Sequence, residues 1–286
     1  MPCRCASFFG ERRKQGGRVS PNEYANLERV EVDHWYYAGK RQFVRDWLLR
    51  CRPPRPSDVL LDCGAGTGRF AQSMESHCKV LVLDDHEESL RLLRGRFRAD
   101  QVLALDHGEV PLPAAAVDYV TALDVLEHVP DDAAAVRGFH RIVKPGGIVA
   151  VTVPASMALW SDWDTSLHHY RRYDRAQLAA LFPDSDWEVI HVAYTNVLLF
   201  PLVWCARKWG ALRRWLGGAA NSRAEDWVPP VWLNALLRLQ FVGLAKTPFP
   251  FPFGVSLLLV ACRRAVGQGT IAALRLRRAH DPGFRG

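Results

Sequence analysis

Residues 59–70, Val-Leu-Leu-Asp-Cys-Gly-Ala-Gly-Thr-Gly-Arg-Phe, constrain this chain more than any other stretch. A short apolar run ends on a carboxylate, Asp62, and then meets glycines at 64, 66 and 68. The apolar run reads as a buried parallel strand, and the residues after Gly68 read as the start of a helix. Glycines at such a turn allow positive φ and let a ligand approach the backbone closely. The spacing is GxGxG behind an acid, whereas a dinucleotide pyrophosphate calls for GxGxxG. A pyrophosphate wants helix N-terminal amides and no adjacent carboxylate. Asp62 suits instead a ligand carrying a cation, such as the ammonium of an amino-acid group.

Further along, residues 79–83 read as a second strand ending in Asp84, about 20 residues past the glycines, where an acid can bond both hydroxyls of a ribose. Two oxygens of one carboxylate match a vicinal diol, and the neighbouring Asp85 is the competing acid. Residues 101–105 read as the third strand, 117–123 as the fourth, 148–153 as the fifth and 187–195 as the sixth. Taken in order, Asp62–Gly68, 81–84, 105–113, 117–128 and 143–153 resemble the motifs of class I S-adenosylmethionine-dependent methyltransferases. The likeness is greatest to the small-molecule group that includes ubiquinone and menaquinone biosynthesis enzymes.

That resemblance implies an α/β fold. Its core is a Rossmann-like, seven-stranded, mostly parallel sheet with helices on both faces. It also implies S-adenosylmethionine as cofactor, with S-adenosylhomocysteine as product. Cofactor contacts are then expected from Asp62, Gly64, Ala65, Gly66 and Gly68, from Asp84 or Asp85, and from Leu123 and Asp124 at the end of the fourth strand. Asp106 matches the residue that accepts from the adenine amino group, and His107 would offer its backbone N–H to the base.

Methyl transfer is an in-line displacement on an activated carbon, so the protein must align the nucleophile and remove its proton. An imidazole suits that task at neutral pH. His128 is the first candidate base. The stretch 123–129 reads as a helix start, which would put Asp124 and His128 on one helical face. The long connection 154–173 carries the alternative bases His168 and His169, and Trp160, Tyr170, Arg171 and Arg172 as substrate contacts. Either arginine could equally pair with surface acids. Tyr36 and Tyr37, in the expected N-terminal helices, either touch cofactor and substrate or pack the helices onto the sheet. Asp131 and Asp132 read as solvated loop acids. No His, Cys and carboxylate set has metal-ligand spacing, so no metal is expected.

The chain divides into a disordered N-terminus (1–20), cap helices (21–52), a methyltransferase core (53–196), an insertion (197–253), a final core strand (254–266) and a basic tail (267–286). The insertion mixes Trp and Phe with Arg and Lys, which suits a lid or substrate wall, an extra packed layer, or a helix at a membrane interface. The net charge of +7 invites a nucleic-acid reading, but the basic residues are scattered. The Ala122-Leu123-Asp124-Val125 sequence also lacks the Asn/Asp-Pro-Pro-aromatic motif of enzymes that methylate exocyclic amines. The expected partner is a small or lipid-like acceptor and no nucleic acid, with peripheral membrane contact through the insertion as an alternative. A scaffold protein that merely retains the fold would not need both Asp62 and Asp84. Seven cysteines without paired spacing point to a reduced, cytoplasmic setting. The polar, Arg-rich first 18 residues lack the apolar run of a secretory signal.

Overall fold

The structure is a computed structural model that describes residues 28–105, 108–215, 228–247 and 249–265. The expectations for the N-terminus before residue 28, for Asp106 and His107, and for the tail beyond residue 265 lie outside these residues.

Seven strands form one sheet in the order β3-β2-β1-β4-β5-β7-β6. They are β1 (Val59–Cys63), β2 (Lys79–Asp84), β3 (Val102–Ala104), β4 (Val117–Leu123), β5 (Val143–Pro154), β6 (Trp187–Thr195) and β7 (Ser256–Arg263). Only β7 runs against its neighbours β5 and β6. Chain order reverses between β1 and β4, which are paired directly (Cys63 beside Ala122). In open α/β sheets ligands bind beyond the carboxyl ends of the strands at such a reversal. The β1 and β4 ends therefore place the site.

Both faces of the sheet are covered, and its central strands are buried along nearly their whole length, not merely at alternate positions. Leu61 and Cys63 of β1 face one layer with Val120 and Ala122, against Phe139 and Ile142 of α4 (Asp132–Ile142) and Leu178 of α6 (Arg175–Ala180). Leu60, Tyr119 and Ile148 face the other layer, formed by α1 (Trp35–Cys51), α2 (Arg69–Met74), α3 (Glu87–Arg96) and α8 (Val231–Ala245). Asp174 caps α6 and Gln177 closes the reciprocal capping box that the sequence implies. A short helix α5 (Asp162–Ser166) lies within the long 154–173 connection.

The segment between β6 and β7 forms α7 (Phe200–Trp215) and α8. The inner side of α8 packs on α1 through Phe241, Val242 and Ala245, and the Trp47 indole donates to the Ala245 carbonyl at 3.0 Å. Asn234 ties the same two elements by accepting from Trp35 N at 2.8 Å and donating to Asp33 O at 2.7 Å. Trp232 and Leu239 of α8 are exposed, as are Leu202 and Trp209 of α7. Among the described residues no helix is long and apolar enough to cross a membrane.

Two local expectations are corrected. The stretch 123–129 does not open a helix. Asp124 has φ 58°, Leu126–His128 is a single 3-10 turn, and α4 begins only at Asp132. Asp124 and His128 therefore share no helical face. Nor are Asp131 and Asp132 merely solvated. Asp131 caps α4 by accepting from Ala134 N, while Asp132 accepts from the Tyr173 hydroxyl at 2.8 Å and pairs with Arg171 at 2.6 Å.

Candidate active site

The glycine turn follows the logic of its sequence. Gly64, Gly66 and Gly68 all have positive φ (70°, 57° and 79°), which side-chain-bearing residues rarely adopt. A methyl group at Gly64 would sit 2.5 Å from Val125, and one at Gly68 would sit 2.5 Å from Phe97, so both are closed by packing. Above Gly66 there is nothing within 4 Å, and that is where a ligand can lie against the backbone. Gly64 N and Ala65 N both donate to Leu83 O, locking the turn to β2.

Two buried carboxylates flank this opening. Asp62 is 3% exposed and accepts from the Thr121 hydroxyl at 2.7 Å. Burial raises its pKa to about 7, against the opposing pull of the Thr121 bond. Asp84 accepts from Gly66 N at 3.0 Å, Asp85 N at 2.8 Å and His86 N at 2.9 Å. Burial still pushes its carboxyl upward despite those amides. Asp85 is exposed, so of the two acids Asp84 is the one that faces the glycine turn.

At the end of β4, Asp124 accepts from the Thr152 hydroxyl at 2.9 Å and forms an ion pair with Lys40 of α1. Burial alone would raise the Asp124 carboxyl, but the Lys40 ammonium holds it below the usual carboxylate range. Burial likewise disfavours the Lys40 charge, and Asp124 with Tyr36 more than reverses that. Lys40 also lies 4.3 Å from the centre of the Tyr36 ring, whose hydroxyl is 3.4 Å from Ser256 Oγ. Tyr36 stacks on Phe241 of α8 and against Tyr37, so it joins helix packing to the Asp124 cluster. Leu123, half-buried, ends β4 beside Thr152. Before α1, Glu31 accepts from the Thr67 hydroxyl, and Arg96 bridges Thr67 O and Glu28 (2.7 Å to the latter), so the N-terminal segment reaches over the glycine turn.

The candidate bases separate. His168 is exposed, with φ 58°. His128 and His169 meet edge to face at 4.6 Å between ring centres, from positions 41 residues apart in the chain. His169 Nδ1 lies 3.0 Å from Asp164 Oδ1, and Arg172 Nε donates to the same oxygen at 2.7 Å. Burial opposes the charge on Asp164, but the His169 and Arg172 bonds bring its pKa down to about 2. Arg172 is itself buried and also donates to Ala155 O, so it pins the connection to β5. Arg171 is held by Asp132 and Pro130 O. Both arginines thus meet acids of this chain. Of the other candidate substrate contacts on that connection, Tyr170 is 58% exposed and Trp160 is half-buried.

Lys40, Glu31, Thr67, Glu127 and Asp164 were not singled out from the sequence. For Lys40 a signal existed, since a lysine on the buried side of an otherwise apolar helix stripe asks for a partner acid. Glu31, Thr67 and Glu127 depend on contacts between distant segments, whereas Asp164 meets His169 and Arg172 within its own connection.

An acid near the end of β1, an open glycine turn, an acid that ends β2 and a polar cluster after β4 lie together at the carboxyl end of the sheet, a set whose chemistry suits a nucleotide-type cofactor. Residues 35–192 match the family described as methyltransferase domain, and this chain belongs to that family. It is 33% identical over 144 residues to the ubiquinone biosynthesis O-methyltransferase of Sodalis glossinidius, covering 46% of this chain and 58% of that protein. It is 31% identical over 138 residues to the malonyl-[acyl-carrier protein] O-methyltransferase of Serratia marcescens, covering 46% and 54%. The chain therefore spans little more than half the length of these relatives. The fold is similar to that of phosphoethanolamine N-methyltransferase 2 of Haemonchus contortus, solved with S-adenosyl-L-methionine (TM-score 0.55, 17% identity, 86% of this chain and 58% of that one).

Proposed function

We propose that this chain transfers the methyl group of S-adenosylmethionine to an oxygen of a small, hydrophobic acceptor. The observation that carries the cofactor reading is that buried Asp84 accepts from Gly66 N beside the open backbone there, with buried Asp62 near enough to feel the Asp84 charge. The adenosine ribose would bond Asp84, the amino-acid ammonium would face Asp62, and the bound cofactor would lie over Gly66. An ammonium beside Asp62 favours its ionised form, which burial otherwise disfavours.

In the transfer, a lone pair of the acceptor oxygen forms the new O–C bond as the methyl–sulfur bond breaks. The bonding pair goes to sulfur, which leaves as a thioether. The acceptor proton must leave, and the His128–His169 pair is the proton acceptor on this side of the sheet. Asp164 fixes the plane of the His169 ring through its contact with Nδ1. Oxygen as the receiving atom is supported by the names of the two relatives above, both O-methyltransferases. A hydrophobic or lipid-like acceptor is supported by the exposed apolar side of α7 and α8, where Lys208 lies near Trp204, a pairing suited to a membrane surface.

Calorimetric titration with S-adenosylhomocysteine of the wild type and of Asp84→Ala tests the cofactor half. The expected result is binding by the wild type that the variant loses. A folded wild type that binds none would sink the reading. Acceptor screening then starts from hydrophobic phenols and carboxylic acids.

A further inference from the structure

We propose that Glu127, His128 and His169 form a binding site for a divalent transition cation of the zinc type, with Asp164 orienting His169. One carboxylate oxygen of Glu127 and one ring nitrogen from each histidine lie within 4.8 Å of one another. Zinc holds nitrogen and oxygen ligands at roughly 2.0–2.2 Å, so two ligands of one ion lie ~3.3–4.4 Å apart. Small side-chain rotations close the observed set onto one centre.

A second observation points to the same place. Glu127 is 1% exposed, and its Oε2 is a buried oxygen with no hydrogen-bond partner. Buried carboxylate oxygens are ordinarily bonded, and one left unmet is costly. A cation between Glu127 and the two rings meets it. The nearby positive charges are already neutralised, Lys40 by Asp124 and Arg172 by Asp164, so they do not fill that role.

The surroundings supply the outer layer that such sites use. The Nδ1 of His169 is engaged by Asp164, which leaves Nε2 as the ligating atom and fixes the plane of the ring. Two imidazoles and one carboxylate suit zinc and its neighbours in the first transition row. Magnesium and calcium prefer all-oxygen shells. Three protein ligands leave a position open, as in catalytic rather than structural sites.

The role of the cation rests on the methyl-transfer reading, whereas its binding does not. With the ion bound, the two rings would be ligands, and water would replace them as the proton acceptor named above for the ion-free site. An acceptor hydroxyl taking the open position would release its proton to water more readily, because the cation stabilises the oxyanion that remains. Its oxygen then attacks the methyl carbon as described above.

The test uses the full chain, stripped with a chelator and titrated with zinc chloride in a calorimeter. Cobalt(II) substitution serves as the spectroscopic probe. One equivalent should bind, with a d–d spectrum free of thiolate charge-transfer bands. Glu127→Gln and His169→Ala should each weaken binding by at least ~100-fold, and Asp164→Asn by about 10–100-fold. S-adenosylhomocysteine titration of each variant reports whether it is folded. Wild-type affinity retained in a folded Glu127→Gln, no stoichiometric binding, or a thiolate band from the cysteines would overturn the site. Zinc bound by a protein that ignores S-adenosylhomocysteine would uphold the cation site and remove methyl transfer. The reverse pattern would remove the cation site alone.

Discussion

The Lys40 ammonium on α1 is paired with the Asp124 carboxylate just past the end of β4, joining the helix that precedes the sheet to the carboxyl end of a central strand. Lys40 is almost wholly buried there, beneath the Tyr36 ring. Lys40→Met keeps the stem but leaves Asp124 without its counter-ion. It should cost about 3 kcal/mol in urea denaturation, the scale expected for breaking a buried pair.

The pH dependence of that difference has a definite sign. Asp124 is held below its unfolded value, so its contribution is present above the ordinary carboxylate range and is lost as pH falls through the depressed folded value. Lys40 is raised, so its contribution is present below the ordinary ammonium range and is lost as pH rises through the folded value. The gap between wild type and Lys40→Met should be flat from about pH 5 to 9 and shrink on acidification. A gap that grows in acid would contradict the pairing.

Asp62 behaves oppositely. Its folded pKa of about 7 lies above the unfolded carboxylate value, so it adds stability at low pH that is lost as pH rises toward about 7. Cofactor binding wants the ionised form. The affinity for S-adenosylhomocysteine should therefore tighten by ~10-fold between pH 6 and 8, the change in ionised fraction of a group titrating near the middle of that window. Asp62→Asn should bind weakly at both ends and lose the slope. Calorimetry in buffers of differing ionisation enthalpy would also show protons released on binding at the acid end.

Within the glycine turn, two alanine substitutions should separate folding from binding. Gly66→Ala meets open space and carries only the backbone strain of positive φ, about 1–2 kcal/mol. Its added methyl group occupies the ligand's approach, so S-adenosylhomocysteine affinity should fall far more than stability. Gly68→Ala drives a methyl group toward Phe97 and Leu93, and should lower Tm first. Equal loss of affinity and Tm in both would show that the opening at Gly66 is not the cofactor's.

Asp164 has no exposed surface and binds Arg172 and His169 through one oxygen. Asp164→Ala leaves the Arg172 guanidinium buried and unpaired, which should cost about 3–5 kcal/mol in chemical denaturation. Replacing both residues, Asp164→Leu with Arg172→Met, should recover much of that loss. Failure of the double variant to recover any would mean that packing of the 154–173 connection, not charge, sets the cost.

Much of the fold was legible because its signals are local. The β4 and β6 boundaries agree with the sequence reading residue for residue. The capping box at Asp174 and the acid that ends β2 are equally short-range. The misreading at 123–129 is instructive. An apolar run with polar residues four apart looks helical, yet the Asp124 amide donates to Thr152 O across the sheet and the residue takes a left-handed conformation. Sheet geometry overrode local periodicity.

By itself the sequence determined the strand–glycine–helix turn, the two acids beside it and where most strands fall along the chain, because each depends on residues a few positions apart and, in the turn, on backbone freedom that only glycine has. Tertiary structure alone decided which histidines meet, which acid holds Lys40, and that Glu127 ends in the interior beside two imidazoles. Those groups come from segments tens of residues apart. Their meeting is set by how the 154–173 connection and α1 close over the carboxyl ends of β1 and β4, a packing outcome that no short-range pattern encodes.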